Sequence, residues 1–209
     1  MYRPGPYVED GAALLHDIIR TRPFALIAAG MGGDIAFAYA PVVVDAEGRR
    51  GGVRFHLARA NPLAAMDGVK VRLSFVGPDT YISPDWYVSE GLVPTWNYIA
   101  IEATGVARPL DRPALHQLLV DLSAQEEARL SPKTPWTLDK VPAAKLEALL
   151  NAIVGFSVPF DTLEGKFKLS QDKKSEDFEG AVSALEERDD AGAQAVATAM
   201  RLFGWKRKA

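Results

Sequence analysis

The sequence predicts a mainly β protein with peripheral helices, an α+β fold, on three observations. Segments 24–29, 35–44, 53–57, 69–76 and 97–107 are rich in Val, Ile, Phe and Tyr and are separated by Gly, Asp and Pro clusters. Such segments suit pleated, half-buried strands. The connections between several of them are short, which favours antiparallel neighbours in a barrel or sandwich over a parallel sheet with crossover helices. Leucines then recur at helical spacing in the second half of the chain, so the helices fall mostly after the sheet.

The elements follow in order. Leu14, Leu15, Ile18 and Ile19 predict an amphipathic helix over 10–21 that Pro23 stops. MGGD at 31–34 and DAEGRRGG at 45–52 read as hairpin connections. GMGGD at 30–34 is not a dinucleotide loop: G-x-G-x-x-G needs glycine where Ile35 stands, and strand composition follows where a helix should begin. Asn61 and Pro62 suit the cap and first position of a short helix. Asp111 and Pro113 start a helix whose core face is Leu115, Leu118, Leu119 and Leu122. The proline-punctuated stretch 130–142 leads to a shorter helix through Leu146, Leu149, Leu150 and Ile153. A strand is expected at 154–163, then a basic turn, GKFKLSQDKK, and two closing helices carrying Phe178, Val182 and Leu185, and Val196, Met200 and Phe203. Residues 1–165 are read as the core with inserted helices, and 166–209 as a C-terminal helical appendage within one domain.

Composition excludes several function classes. The 209 residues are 48% apolar and 24% charged, ordinary globular values. There is no cysteine, so disulfides, thiolate metal sites and thiol nucleophiles are ruled out. His16, His56 and His116 lack metal-ligand spacing, and no metal site is expected. No G-x-S-x-G elbow or distinct carboxylate pair supports hydrolysis, and no catalytic residue is assigned. The apolar runs at 24–31 and 35–44 are far shorter than the roughly 20 residues of a membrane span. The amino-terminal segment has no basic stretch followed by an apolar run, so a cytoplasmic protein is expected. A net charge of −3 gives no global attraction to nucleic acid.

Three features point to a ligand. Residues 81–98, YISPDWYVSEGLVPTWNY, hold Tyr81, Trp86, Tyr87, Trp96 and Tyr98 and no basic residue. Turn chemistry does not call for such residues, and they offer flat faces with polar edges, for a planar ligand, another chain or simply a lid over the core. FHLARANP at 55–62 sets Arg59 beside a helix start, where free N–H groups, the helix dipole and a bidentate guanidinium suit phosphate; a capped helix with a solvated arginine is the plainer reading. GKFKLSQ sets Lys166 and Lys168 on one face if it remains extended, where they oppose a phosphate or simply meet solvent.

FHLARANP, YISPDWY, VPTWNYIAIEATG and IVGFSVPFDTLEGKFKLSQ, in that order over most of the chain, resemble the PaiB-type FMN-binding negative transcriptional regulators. The resemblance implies an FMN-binding split β-barrel, usually a homodimer with the flavin near the subunit interface. It makes Leu57, Ala58, Arg59, Ala60 and Asn61 cofactor-binding candidates, with Arg59 and Asn61 toward the phosphate. Trp86, Trp96 and Asn97 are then expected near the cofactor, with hydrogen bonds from Tyr81 and Ser83 and with Lys166 and Lys168 facing a phosphate. Where family members show Thr-His before Leu-Pro, this chain has Ala38, Tyr39, Ala40 and Pro41, which removes side-chain donors. Regulation by DNA contact would rest on Lys166, Lys168, Lys173, Lys174 and 206–208; an indirect regulatory partner is the other route. A flavin-dependent oxidoreductase and a dimeric interaction protein with a weakened flavin pocket are the rival functions.

Overall fold

The computed structural model describes residues 1–204. Among these described residues nine strands are present: β1 (Val8–Glu9), β2 (Phe24–Met31), β3 (Asp34–Pro41), β4 (Val43–Asp45), β5 (Gly52–Ala58), β6 (Lys70–Ile82), β7 (Thr95–Val106), β8 (Arg108–Pro109) and β9 (Ile153–Lys168). Five α-helices accompany them: α1 (Ala12–Thr21), α2 (Arg112–Glu127), α3 (Ala143–Asn151), α4 (Ser175–Glu186) and α5 (Ala191–Ala199). The main strand order is β3-β2-β6-β7-β9-β5-β4, with β1 and β8 also paired to β9. The sheet ends at β3 and β4 and does not close.

The chain divides into two compact units: Met1–Gly11, Val76–Ile101 and Glu164 onward form unit 1, and Ala12–Phe75 with Glu102–Leu163 form unit 2. Strands β6, β7 and β9 each have residues in both. The segment from Lys166 onward, read from sequence as an appendage, falls in unit 1 with Met1–Gly11 and Val76–Ile101.

In unit 2 the β2–β3 hairpin closes from Met31↔Asp34 through Gly32 and Gly33, at φ 59° and 91°. Two consecutive left-handed residues give the turn whose twist matches its strands, and glycine adopts them without strain. The 45–52 connection likewise joins a hairpin, with Asp45↔Gly52 in register. Ala25, Ile27, Phe55, Leu57, Leu73, Phe75 and Phe156 are buried, and the Phe55 and Phe156 rings lie 5.9 Å apart. Leu115 and Leu118 of α2 and Leu150 of α3 form a second cluster with Val43, Leu110, Leu119, Leu146 and Ile153 packed against it. Asp111 caps α2, its carboxylate accepting from Ala114 N at 2.9 Å.

In unit 1, Ile82, Ile99, Phe167, Phe178, Val182, Leu185, Val196 and Met200 are buried. Strand β9 continues to Lys168, beyond the expected end at 163, and Val8↔Lys166 pairs it with β1. The basic turn expected from Gly165 is therefore strand at its start. The chain turns at Ser170, whose φ is 62°. That left-handed residue is held by Ser170 Oγ–Asn97 and by the neighbouring Gln171 side chain, which accepts from Leu169 N and donates to Phe167 O.

Candidate functional site

Each unit carries part of the candidate set. In unit 2, β5 delivers Leu57 to the core and exposes Ala58, Arg59 and Ala60. Asn61 caps the next turn, its Oδ1 accepting from Leu63 N at 2.9 Å. The expected cap is present, but the helix it starts is a single 3-10 turn, Pro62–Ala65. So short a turn has little aligned dipole to offer an anion. Arg59 donates from Nε to Asn151 O and from Nη2 to Ile153 O, both at 2.8 Å, while its own backbone N–H bonds Ala152 O. The guanidinium thus ties the end of α3 to the start of β9, which leaves Nη1 outside these two bonds.

Ala38 and Ala40 are buried core positions, whereas Tyr39 points outward, 65% exposed and stacked on Phe24 at 6.2 Å. His56 has a buried Nδ1 with no hydrogen-bond partner among the described residues, and burial pushes its pKa down.

In unit 1 the aromatic and basic candidates converge. Alternation along β7 places Trp96 and Tyr98 on one face and sends Asn97 inward. The same rule places Lys166 and Lys168 together on β9. Trp96 and Tyr81 meet edge to face at 6.5 Å and 77°, and both remain exposed. The Lys166 ammonium lies 5.5 Å from the Tyr2 ring and 5.4 Å from the Tyr98 ring, each a cation–π contact of about 0.5–1 kcal/mol. Lys168 Nζ donates to the Trp96 carbonyl at 2.6 Å and to the Thr95 hydroxyl. Burial lowers the Lys168 pKa, and its hydrogen-bond partners are neutral oxygens. The structure therefore brings together Tyr81, Trp96, Lys166 and Lys168, with Tyr98, which strand alternation alone would have shown, and Thr95, which it would not.

The other unit 1 candidates are held internally. Asn97 is fully buried and donates to Ser170 Oγ at 2.9 Å and to Met200 Sδ at 3.4 Å. Ser83 caps the turn Pro84–Trp86, accepting from Asp85 N at 3.3 Å. The loop beyond is fastened to α4: Asp177 accepts from Val88 N and Ser89 N at 2.9 and 2.8 Å, and those bonds, Ser89 N first, hold its carboxyl below the usual range. Lys173 lies 6.0 Å from the ring of buried Tyr87, and burial followed by Asp172 raises the Tyr7 phenol to about 12.

Flat aromatic faces beside ammonium groups that form no ion pair among the described residues are chemically suited to a planar anion, and FMN is one. Mostly antiparallel strands with this order place the chain in the flavin-binding split-barrel class of folds. Two solved structures have the same fold: the FAD and heme binding protein from Mycobacterium smegmatis, at TM-score 0.56 and 17% identity over 78% of this chain and 73% of that one, and the flavocytochrome Anf3 from Azotobacter vinelandii, at TM-score 0.56 and 16% identity over 80% and 72%. The chain belongs to the family described as "Putative FMN-binding domain", whose model matches residues 1–162. It is 28% identical over 205 residues to protease synthase and sporulation protein PAI 2 of Bacillus subtilis, covering 96% of each chain, and 26% identical to an uncharacterized protein of Emericella nidulans, covering 98% of each. It is an FMN-binding, PaiB-like protein.

Proposed function

We propose that the unit 1 face of Tyr81, Trp96, Lys166 and Lys168 is a principal FMN contact and that the flavin-bound protein is a regulator of the kind its similarity to PAI 2 suggests. The observation that carries the first part is the Trp96–Lys168 arrangement: an exposed indole on a residue whose backbone carbonyl accepts from the Lys168 ammonium, which forms no ion pair among the described residues. In unit 2, taken by itself, Arg59 Nη1 and the exposed Ala58 and Ala60 backbone are the accessible groups of the candidate stretch Leu57–Asn61. FMN supplies one- and two-electron chemistry when bound; the protein orients it and sets its surroundings. Ser83, Trp86 and Asn97 support the face by shaping the turn and the buried layer behind it.

The working form in this reading is a cytoplasmic homodimer. Among the described residues no helix is long and apolar enough to cross a membrane. Support for self-association comes from exposed apolar side chains: Val88 and Val93 in the aromatic loop, and separately Phe24, Ile35, Phe37 and Tyr39 in unit 2. Direct DNA contact, if made, rests on phosphate attraction by the lysines of 166–174, since the chain as a whole is acidic. Lys206, Arg207 and Lys208 lie outside the described residues.

The test is native mass spectrometry of purified protein, with absorbance of the released ligand. FMN at one per chain supports the reading; a protein that neither retains nor rebinds FMN overturns it.

A further inference from the structure

Lys168 serves two groups at once. Its ammonium is bound to the Trp96 carbonyl and the Thr95 hydroxyl, so it fixes the backbone that carries the exposed indole. An ammonium has three donors, and the two bonds leave one for a ligand. Lys166, two residues earlier on the same face, is satisfied by the faces of Tyr2 and Tyr98. Among the described residues no carboxylate lies within ion-pair distance of either lysine; the nearby Asp172 is engaged by Lys173 at 3.0 Å. Lys168 feels the Asp172 charge only from beyond ion-pair distance, so an anion brought to these two partly buried cations gains from their charge and replaces solvation that they have lost.

We propose that Lys168, with Lys166, selects the phosphorylated form of a planar ligand at this face, and that Lys168 also positions the Trp96 wall on which the ring stacks. This selectivity rests on FMN occupying the unit 1 face. Stacking needs only the indole and is indifferent to the phosphate, whereas the lysines act on the phosphate and are indifferent to the ring. FMN and riboflavin share the ring and differ in the phosphate, so their affinity ratio isolates the lysine contribution.

The experiment is titration of the purified protein and its variants with FMN and with riboflavin, read by flavin fluorescence. Wild type is expected to prefer FMN by tenfold or more, in line with one charge-assisted contact. Lys166→Met should cut that preference severalfold and leave riboflavin affinity unchanged. Lys168→Met should abolish most of the preference and also weaken riboflavin a few-fold through the wall, while Lys168→Arg should retain the preference. Without ligand, acrylamide quenching of the Trp96 component, obtained by difference from Trp96→Phe, should rise in Lys168→Met. If Lys168→Met does not fold, Lys166→Met and Lys168→Arg carry the test. Wild type that binds neither flavin overturns the FMN reading and this inference with it. Wild type that binds FMN without preference over riboflavin, or variants that weaken both equally, overturns this inference and leaves the FMN reading standing.

Discussion

Gly180 on α4 passes so close to Trp86 that a Cβ on it would come within 2.2 Å of the Trp86 carbonyl oxygen. The obstacle is backbone, which cannot rotate aside, so the turn carrying the aromatic loop rests on α4 only because position 180 has no side chain. Gly180→Ala should therefore destabilise the protein by about 1–3 kcal/mol, even though alanine favours helix by up to about 1 kcal/mol. Urea unfolding measures the net effect. A stabilised Gly180→Ala protein would mean the helix gain outweighs the clash.

Asp177 fastens the same loop three residues earlier on α4, through Val88 N and Ser89 N. Its folded-state pKa is depressed, chiefly by the Ser89 N–H bond. The unfolded chain consequently binds the proton more readily, so the stabilisation is complete above the ordinary aspartate value of about 3.9 and is lost as pH falls through the lower folded value. Asp177→Asn should be less stable than wild type at pH 7, and the gap should narrow below about pH 4. Unfolding midpoints from pH 7 to pH 3 give the difference directly; a gap that widens in acid would contradict the assignment.

Local chemistry made parts of this fold legible and left others hidden. The Gly32–Gly33 turn and the Asp111 and Asn61 caps are decided within a few residues, and each stands where the sequence puts it. The Lys166–Lys168 stretch reads as a turn because Gly, Lys, Ser and Asp are poor strand formers. It is strand because β1, more than 150 residues away in sequence, pairs with Gly165 and Lys166, and because β7 is hydrogen-bonded beside β9. Strand β6 likewise runs on through Gly77 and Pro78 to Ile82, and Gly77 is required there because a Cβ would meet Ile99 at 2.8 Å. The aromatic component of the candidate site was visible as composition. Its coupling to Lys168 was not, since the bonds to Thr95 and Trp96 cross strands.

Arg59 shows the same limit from the other side. Its neighbours Asn61 and Pro62 suggest a phosphate-binding helix start, yet the carbonyls of Asn151 and Ile153 take two of its donors. Arg59→Ala should cost about 1–2 kcal/mol of stability by releasing α3 from β9. It should change the FMN-to-riboflavin ratio less than Lys168→Met does. A ratio that collapses in Arg59→Ala with stability unchanged would make Arg59 the main phosphate partner.

Duplex DNA binding, if present, should be weak and steeply salt-dependent, because a chain of net charge −3 has only local lysines to offer phosphate. Neutralising Lys173 and Lys174 to Gln should lower the slope of log affinity against log salt by about one for each phosphate that is no longer neutralised. Binding of a promoter duplex that stays tight at physiological salt after these changes would require a recognition surface elsewhere.

The proposed self-association draws its support from how β2 and β3 are paired. Ala28↔Phe37 and Gly30↔Ile35 set small residues beside large ones, and Lys70 and Arg72 of β6 border them on the other side. A trough of about 370 Å³ results, open on the outward face of unit 2. Ile35, Phe37, Tyr39 and Phe24 beside it are each more than half exposed on a strand that ends the sheet or on its neighbour, a pattern that monomeric proteins normally avoid. The bordering cations are already paired, Arg72 with Glu102 and Lys70 with Asp161, so a second copy would meet no uncompensated charge there. Light scattering should accordingly give twice the chain mass at micromolar concentration. Phe37→Lys, which places a charge on the trough wall without touching the core, should shift the protein to monomer and leave its circular dichroism unchanged. A Phe37→Lys protein that stays dimeric would move the interface to the aromatic loop, where Val88→Lys and Val93→Lys provide the corresponding test.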